Sequence, residues 1–151
     1  MRKKITLFLC LFFLACSKDE TRLECDFSEQ VCFALDELNL NKKIWIDSNI
    51  TSYTMNIQFS CYCLAWEPYY VVIQEDVLDS VSGNEEWGHE GRPMTINALF
   101  KKIENKIIEN PFLFEVNYNS KYGYPEESYF DMDEMIADEE IGYYITNFEP
   151  L

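Results

Sequence analysis

Apolar and polar residues alternate without a break from Tyr53 to Cys63. The apolar positions are Tyr53, Met55, Ile57, Phe59, Cys61 and Cys63. A period of two is typical of a β-strand with one buried face, so both cysteines are expected to point toward the core. Two further β-type runs, residues 69–74 and 77–82, flank Glu75 and Asp76 at the spacing of a hairpin. The Glu-Asp pair leaves the turn type open.

Two segments have helical periodicity instead. The first begins with Asp26 and Glu29 in the spacing of a capping box. Its apolar stripe continues through Val31, Leu35, Leu38 and Trp45 toward an end near residues 48–49, and a break at 39–41 stays open. The second is predicted to be capped by Thr95 and to end at Asn110-Pro111, with the apolar stripe Ile96, Leu99, Phe100, Ile103 and Ile107.

The C-terminal third returns to alternation. A strand over residues 112–118, a turn at Gly123-Tyr124-Pro125, a returning strand over 127–132 and a last strand over 141–148 are predicted. The resulting order of helix, three strands, helix and three strands lacks the βαβ alternation of parallel sheets. We therefore predict an α+β fold, an antiparallel sheet of about five or six strands with two helices packed on one face.

The N-terminus has the layout of a secretory signal. Arg2, Lys3 and Lys4 precede an apolar segment over residues 5–14, which Ala15 and Cys16 follow. The apolar part is shorter than the roughly 20 residues that a membrane-spanning helix needs. It is therefore interpreted as a targeting segment.

Two cleavage sites fit this segment. A lipoprotein signal is cut before a cysteine that follows a small residue, which Ala15 and Cys16 satisfy, although Phe13 and Leu14 depart from the usual box. An ordinary signal would instead be cut after Ser17. We favour lipidation of Cys16, which gives a signal peptide at 1–15, a lipidated N-terminus and acidic tether at 16–24, and a single domain at 25–151. Residues 17–20, Ser-Lys-Asp-Glu, are either a surface-export signal or a plain hydrophilic tether.

The net charge of the chain limits which classes of partner it can bind. The chain carries 12 Lys and Arg against 27 Asp and Glu, a formal charge of -15. Removal of residues 1–15 takes away three of these basic residues and no acidic one, so the charge becomes -18. Such a surface repels phosphate, so no nucleic-acid partner is expected and membrane attachment has to come from the lipid anchor. An envelope or surface protein remains the expected partner.

Four cysteines, Cys25, Cys32, Cys61 and Cys63, remain for the mature domain in an oxidising compartment. Two disulfides are expected, and four cysteines allow three pairings. A Cys61–Cys63 bridge would require the strand to bend, because residues two apart in a strand are about 6.5 Å apart whereas bridged Cβ atoms are about 3.8 Å apart. A zinc site lacks the usual spacing within each pair.

The connection before the last strand is the best candidate for specific chemistry. Six carboxylates fall within ten residues, and carboxylate oxygens are the ligands that calcium prefers. They do not fit the EF-hand template, because Met135, Ile136 and Gly142 occupy positions that need an oxygen ligand, a glycine and a glutamate. The alternatives are a calcium site and a solvated acidic loop. The candidate ligands are Asp131, Asp133, Glu134, Asp138, Glu139 and Glu140.

No residue pattern predicts an enzyme. His89, in a glycine-rich loop, is the one histidine and has no second histidine at metal-binding spacing. A two-carboxylate hydrolase is a distant alternative, since nothing along the chain marks a particular pair of acids.

The order of several short motifs resembles a family of bacterial secreted proteins and lipoproteins classed as a domain of unknown function. The motifs are Trp45 with Tyr53, residues 60–63, the Thr95-Ile96 helix with Leu99-Phe100, Tyr118, Gly123-Tyr124-Pro125, and residues 137–140 before 143–148. The resemblance covers roughly residues 37–148 and implies the same small α+β domain with no activity to transfer. It also implies that Cys61 bonds Cys63 and that Cys25 bonds Cys32.

Together these features predict a lipid-anchored cell-envelope lipoprotein of the outer membrane, exposed at the surface if residues 17–20 act as an export signal. Its domain is expected to be a non-enzymatic binding module without a cofactor. The alternative is a calcium-binding or calcium-stabilised extracytoplasmic protein.

Overall fold

A computed structural model describes residues 25–61, 67–83 and 92–151. The helices and strands follow in the order α1 (Glu29–Asp47), β1 (Tyr53–Ser60), β2 (Tyr69–Gln74), β3 (Val77–Ser82), α2 (Ile96–Ile108), β4 (Leu113–Tyr118), β5 (Pro125–Asp131) and β6 (Ile141–Pro150). The predicted α+β class is therefore confirmed.

The six strands form one antiparallel sheet in the order β3-β2-β1-β6-β5-β4. Two local sets of strands, β1 to β3 and β4 to β6, meet where β1 pairs with β6. This central pair joins residues 82 to 97 positions apart in the chain, with Tyr53 opposite Pro150 and Ser60 opposite Gly142. The strand pairing with the largest sequence separation therefore joins the two halves of the sheet in its middle. Strands β3 and β4 form the two edges of the sheet.

The helices cover one face of the sheet. Val31, Leu38 and Trp45 of α1 are buried, as is the whole predicted stripe of α2. The predicted inward face of β1 is confirmed, because Tyr53, Met55, Ile57 and Phe59 are all buried. Strand β1 ends at Ser60, however, earlier than its alternation suggested, and Cys61 packs partly buried against the core.

The start of α1 differs from the prediction. The capping residue is Ser28, whose hydroxyl accepts a hydrogen bond from the Val31 amide at 3.3 Å, whereas the sequence suggested Asp26. A serine at this position satisfies an amide that the first turn of a helix leaves unpaired. The helix then continues to Asp47 without a break at residues 39–41.

Two tight turns need left-handed backbone. Glu75 and Asp76, between β2 and β3, have φ of 49° and 62°, which is the geometry of a type I′ hairpin turn. Gly123, between β4 and β5, has φ of 75° and lies directly against α1. A Cβ at this glycine would meet the Asn41 carbonyl oxygen and come within 2.9 Å of the Ile44 Cβ. Both the backbone conformation and the packing against α1 thus require a glycine at 123.

Candidate functional site

An aromatic cluster joins the end of α1 to the sheet. The Trp45 ring contacts the rings of Tyr53, Tyr124 and Phe148 edge-on, at centroid distances between 5.5 and 6.3 Å. These residues make up much of the motif pattern described above. Because most of their area is buried, they act first as the packing centre of the domain.

The tyrosine hydroxyls of this cluster have structural partners. Tyr53 accepts a hydrogen bond from the Ile96 amide at 2.8 Å, at the first turn of α2. Burial raises the pKa of Tyr53 to about 12, and burial together with the nearby Glu126 carboxylate raises the pKa of Tyr124 to about 12. Both phenols therefore stay protonated at neutral pH, and neither is suited to act as a general base.

The acidic connection is held by its own turn contacts. The Asp133 carboxylate accepts from the Met135 amide at 2.9 Å, and Glu139 accepts from the Asp133 amide. Met135 and Ile136 lie exposed between these acids. The carboxylates thus stabilise the loop backbone in the way that Asx turns do.

The structure does not assemble the predicted calcium site. Within residues 25–61, 67–83 and 92–151, no group of three or more His, Cys, Asp or Glu side chains could hold a metal ion. The six acids are close in sequence, but Asp131 ends β5 and the other five lie in the connection that follows, and no three of them come together. Asp131 is set apart from the rest, because one of its carboxylate oxygens is buried without a hydrogen-bond partner among the described residues.

The disulfide at the start of α1 agrees with the pairing that the resemblance implied. Cys25 and Cys32 are bonded, with their Cα atoms 5.9 Å apart. Cys61 is also disulfide-bonded, but Cys63 lies outside the described residues. The predicted lipidation site Cys16 and the histidine His89 lie outside them as well.

A groove lies between α1 and β4. Its volume is about 240 Å³, with α1 as one wall, β4 as the other and α2 beneath. The apolar lining consists of Phe33, Ala34, Ile107, Phe114 and Val116. Two carboxylates, Glu37 and Glu115, stand at its sides, and no Lys or Arg contributes to its lining.

Sequence patterns did not reveal this groove. Its lining comes from three elements that are far apart in the chain, so no single periodicity marks it. The one available signal was Phe33, an apolar residue outside the Val31, Leu35 and Leu38 stripe, and its side chain is 64% exposed. Single exposed apolar side chains are common on protein surfaces, so Phe33 by itself did not mark a site.

Comparison with known proteins agrees with the motif pattern. A model described as a family of unknown function, DUF6174, matches residues 37–150, which is most of the chain. The chain belongs to this DUF6174 family. No curated protein and no solved structure matches it significantly.

Membership confirms the expected family of unknown function and leaves secretion, lipid attachment and activity as predictions. The matched range begins within α1 and includes the Trp45 cluster and β4. Cys25, Cys32 and Phe33 precede it. One wall of the groove is therefore formed partly by residues outside the matched range. Among the described residues, no helix is long and apolar enough to cross a membrane.

Proposed function

We propose that the protein is a lipid-anchored lipoprotein of the cell envelope whose α+β domain is a non-enzymatic binding module. The starting point is the N-terminal sequence, in which basic residues, a short apolar segment and Ala15-Cys16 have the layout of a lipoprotein signal. Several acyl chains on one cysteine would anchor the chain stably, since each buried CH₂ contributes about 0.8 kcal/mol.

The Cys25–Cys32 bridge is the observation that supports an extracytoplasmic site most directly. Disulfides persist in oxidising compartments and are rare in the cytosol, where thiols are kept reduced. The bridge begins nine residues after Cys16, so the proposed tether spans residues 16–24. An extended chain of this length reaches about 30 Å, which would keep the domain close to the membrane.

The α1–β4 groove supports the binding part of the proposal. It combines an apolar lining with two carboxylates, a composition that suits recognition of another molecule. A calcium-binding role is not proposed, because the described carboxylates of the 131–140 connection form no metal-binding group.

Radiolabelled palmitate tests the anchor. The full chain, its Cys16→Ala variant and its Cys10→Ala variant are expressed in bacteria that process lipoproteins. Cys10 is the matched control, because it lies in the same apolar segment but follows Leu9 rather than a small residue. We expect label in the parent and in Cys10→Ala, and none in Cys16→Ala.

Fractionation of the same cells tests the location. We expect the parent chain in the outer-membrane fraction, and its digestion by protease added to intact cells if residues 17–20 direct it to the surface. Label that persists in Cys16→Ala would show that another residue carries the acyl chains. An unlabelled, soluble parent chain whose N-terminal residue is Lys18 would show that the ordinary signal cleavage is the correct one.

A further inference from the structure

Among the described residues, one side of the β4 backbone has no strand partner. Strand β4 is the last strand of the sheet order, and in that part of the chain it pairs with β5 alone, from Leu113 opposite Asp131 to Tyr118 opposite Pro125. The N–H and C=O groups on the free edge of such a strand are a template for one more strand.

The α1–β4 groove runs beside this free edge. Its apolar lining combines Phe33 and Ala34 of α1 and Ile107 of α2 with Phe114 and Val116 of β4. An edge strand next to a helix, with an apolar groove between them, is the arrangement in which extended peptides bind by strand addition. Backbone hydrogen bonds then supply affinity, and the groove reads every second side chain.

The alternation of β4 specifies what an added strand should carry. Phe114, Val116 and Tyr118 are half-buried on the helix side, whereas Leu113, Glu115 and Asn117 are exposed on the other side. Residues opposite each other on neighbouring strands lie on the same face. An added strand would therefore present apolar side chains toward Phe33 and Val116, and its alternate side chains toward Glu115.

Charge selects basic residues for those alternate positions. Glu115 lies exposed on the face opposite the helices, and Glu127, paired with Asn117 on the next strand, lies exposed on the same face. The chain as a whole carries a charge of -15. An acidic ligand would be repelled, whereas lysine or arginine would be attracted and steered toward this edge.

A second copy of the chain fits this edge less well. An antiparallel pairing of two β4 strands that keeps their apolar residues on the helix side would bring two Glu115 side chains onto one face within reach of each other. Like charges opposite each other destabilise strand pairs. The net charge of each chain adds to this repulsion.

We propose that the free edge of β4 and the α1–β4 groove bind an extended segment of another protein in which apolar and basic side chains alternate. The proposal rests on the binding-module function proposed above and names its partner class. Phe33 is the apolar anchor, and Glu115 selects the basic side chains.

A synthetic peptide tests the proposal. The probe is a fluorescein-labelled peptide of about eight residues, a typical strand length, in which lysine alternates with valine or phenylalanine. Its binding to the purified full chain is followed by fluorescence anisotropy. We expect micromolar affinity, and we expect the same peptide with glutamate in place of lysine not to bind.

Two pairs of variants locate the binding site. Phe33→Ser should weaken binding by about tenfold, the loss expected when an aromatic anchor is removed. Leu40→Ser is its matched control, since Leu40 is on the same helix, is 62% exposed and does not line the groove. Glu115→Lys should weaken binding strongly, whereas Glu134→Lys, at an exposed position in the 131–140 connection, should not.

Three results would overturn the proposal. The first is equal binding of the lysine and glutamate peptides, and the second is equal affinity of Phe33→Ser and Leu40→Ser. The third is concentration-dependent dimerisation of the full chain that Phe33→Ser abolishes, which would identify a second copy as the occupant. None of these results bears on palmitate labelling, so loss of the peptide site and loss of the lipid anchor are distinguishable.

Discussion

The indole nitrogen of Trp45 donates a hydrogen bond to the Asn97 side-chain oxygen at 2.9 Å, joining the end of α1 to the start of α2. The amide nitrogen of Asn97 in turn donates to Asp76 in the β2–β3 turn at 3.1 Å. One asparagine therefore links both helices to the hairpin, at the same end of the domain as the Trp45 aromatic cluster.

Replacement of Asn97 by alanine should destabilise the domain by about 1–3 kcal/mol, because it leaves the largely buried indole N–H without its acceptor. Urea denaturation followed by tryptophan fluorescence measures this change. Asn105→Ala is the control, since Asn105 is an exposed asparagine on the same helix. Equal midpoints for the two variants would show that the Trp45–Asn97 bond contributes nothing to stability.

Gly123→Ala should destabilise the domain by about 2 kcal/mol or more, since it combines left-handed backbone strain with a steric clash against α1. The new methyl group would meet the backbone carbonyl oxygen of Asn41 and the Cβ of Ile44, which both belong to the continuous helix α1. Thermal unfolding should show a lowered melting temperature. Ser120→Ala, an exposed change in the same turn, should leave the melting temperature unaltered.

A substitution in the β2–β3 turn should increase the stability of the domain. Glu75 has φ of 49°, a conformation that asparagine adopts more readily than glutamate. Glu75→Asn should therefore stabilise the domain by about 0.5 kcal/mol. Glu75→Gln removes the same charge without the conformational preference, so a gain shared by both variants would identify charge, and not backbone strain, as the cause.

Stability should fall at alkaline pH, in part because of Tyr53. Its pKa rises from 10.0 to about 12, mainly through burial, with a further contribution from Asp76. The phenol of the unfolded chain loses its proton near pH 10, while the folded phenol keeps it until about pH 12. The folded state thus binds more protons in this window, so its stability is complete below pH 10 and is lost as the pH rises toward 12.

Tyr53→Phe tests this assignment. The variant loses the acceptor for the Ile96 amide and should be less stable at neutral pH, but its stability should fall less steeply above pH 10, by up to about one proton in the linkage slope. Tyr70→Phe removes an exposed hydroxyl and serves as the control. Parallel pH profiles for the parent and Tyr53→Phe would assign the alkaline loss to other groups.

Calcium should leave the melting temperature unchanged. A ligand at 100 times its dissociation constant stabilises a protein by about 2.7 kcal/mol, which would be readily measured. The described carboxylates of the 131–140 connection form no group that could supply such a site. Scans in calcium and in chelator should therefore coincide. If calcium raises the melting temperature and the double variant Asp131→Asn, Asp133→Asn abolishes that rise, the acidic connection does bind calcium.

Local patterns predicted the elements well where one physical preference dominated. The alternation of β1 identified its buried face. Successive side chains of a strand point to opposite faces of the sheet, so apolar residues recur at every second position when the helices cover one face. The stripe of α2 and its Thr95 cap identified that helix to within a residue or two. The capping-box spacing predicts Asp26 as the cap of α1, whereas Ser28 caps it, because sequence spacing does not say which of the two side chains meets the Val31 amide.

The strand order and the groove could not be read in this way. Periodicity shows which side of a strand is buried but does not identify the strand that pairs with it. Strand β1 pairs with β6, which is the last strand in the sequence. That pairing makes β4 an edge strand, and the packing of α1 beside it creates the groove from Phe33, Ile107 and Val116. Composition predicted a small acidic domain and the order of local patterns predicted its α+β class, whereas the pairing of distant segments set its free edge and concave surface. The physical reason is that side-chain burial is encoded locally, while the choice among partners depends on contacts between residues far apart in the chain.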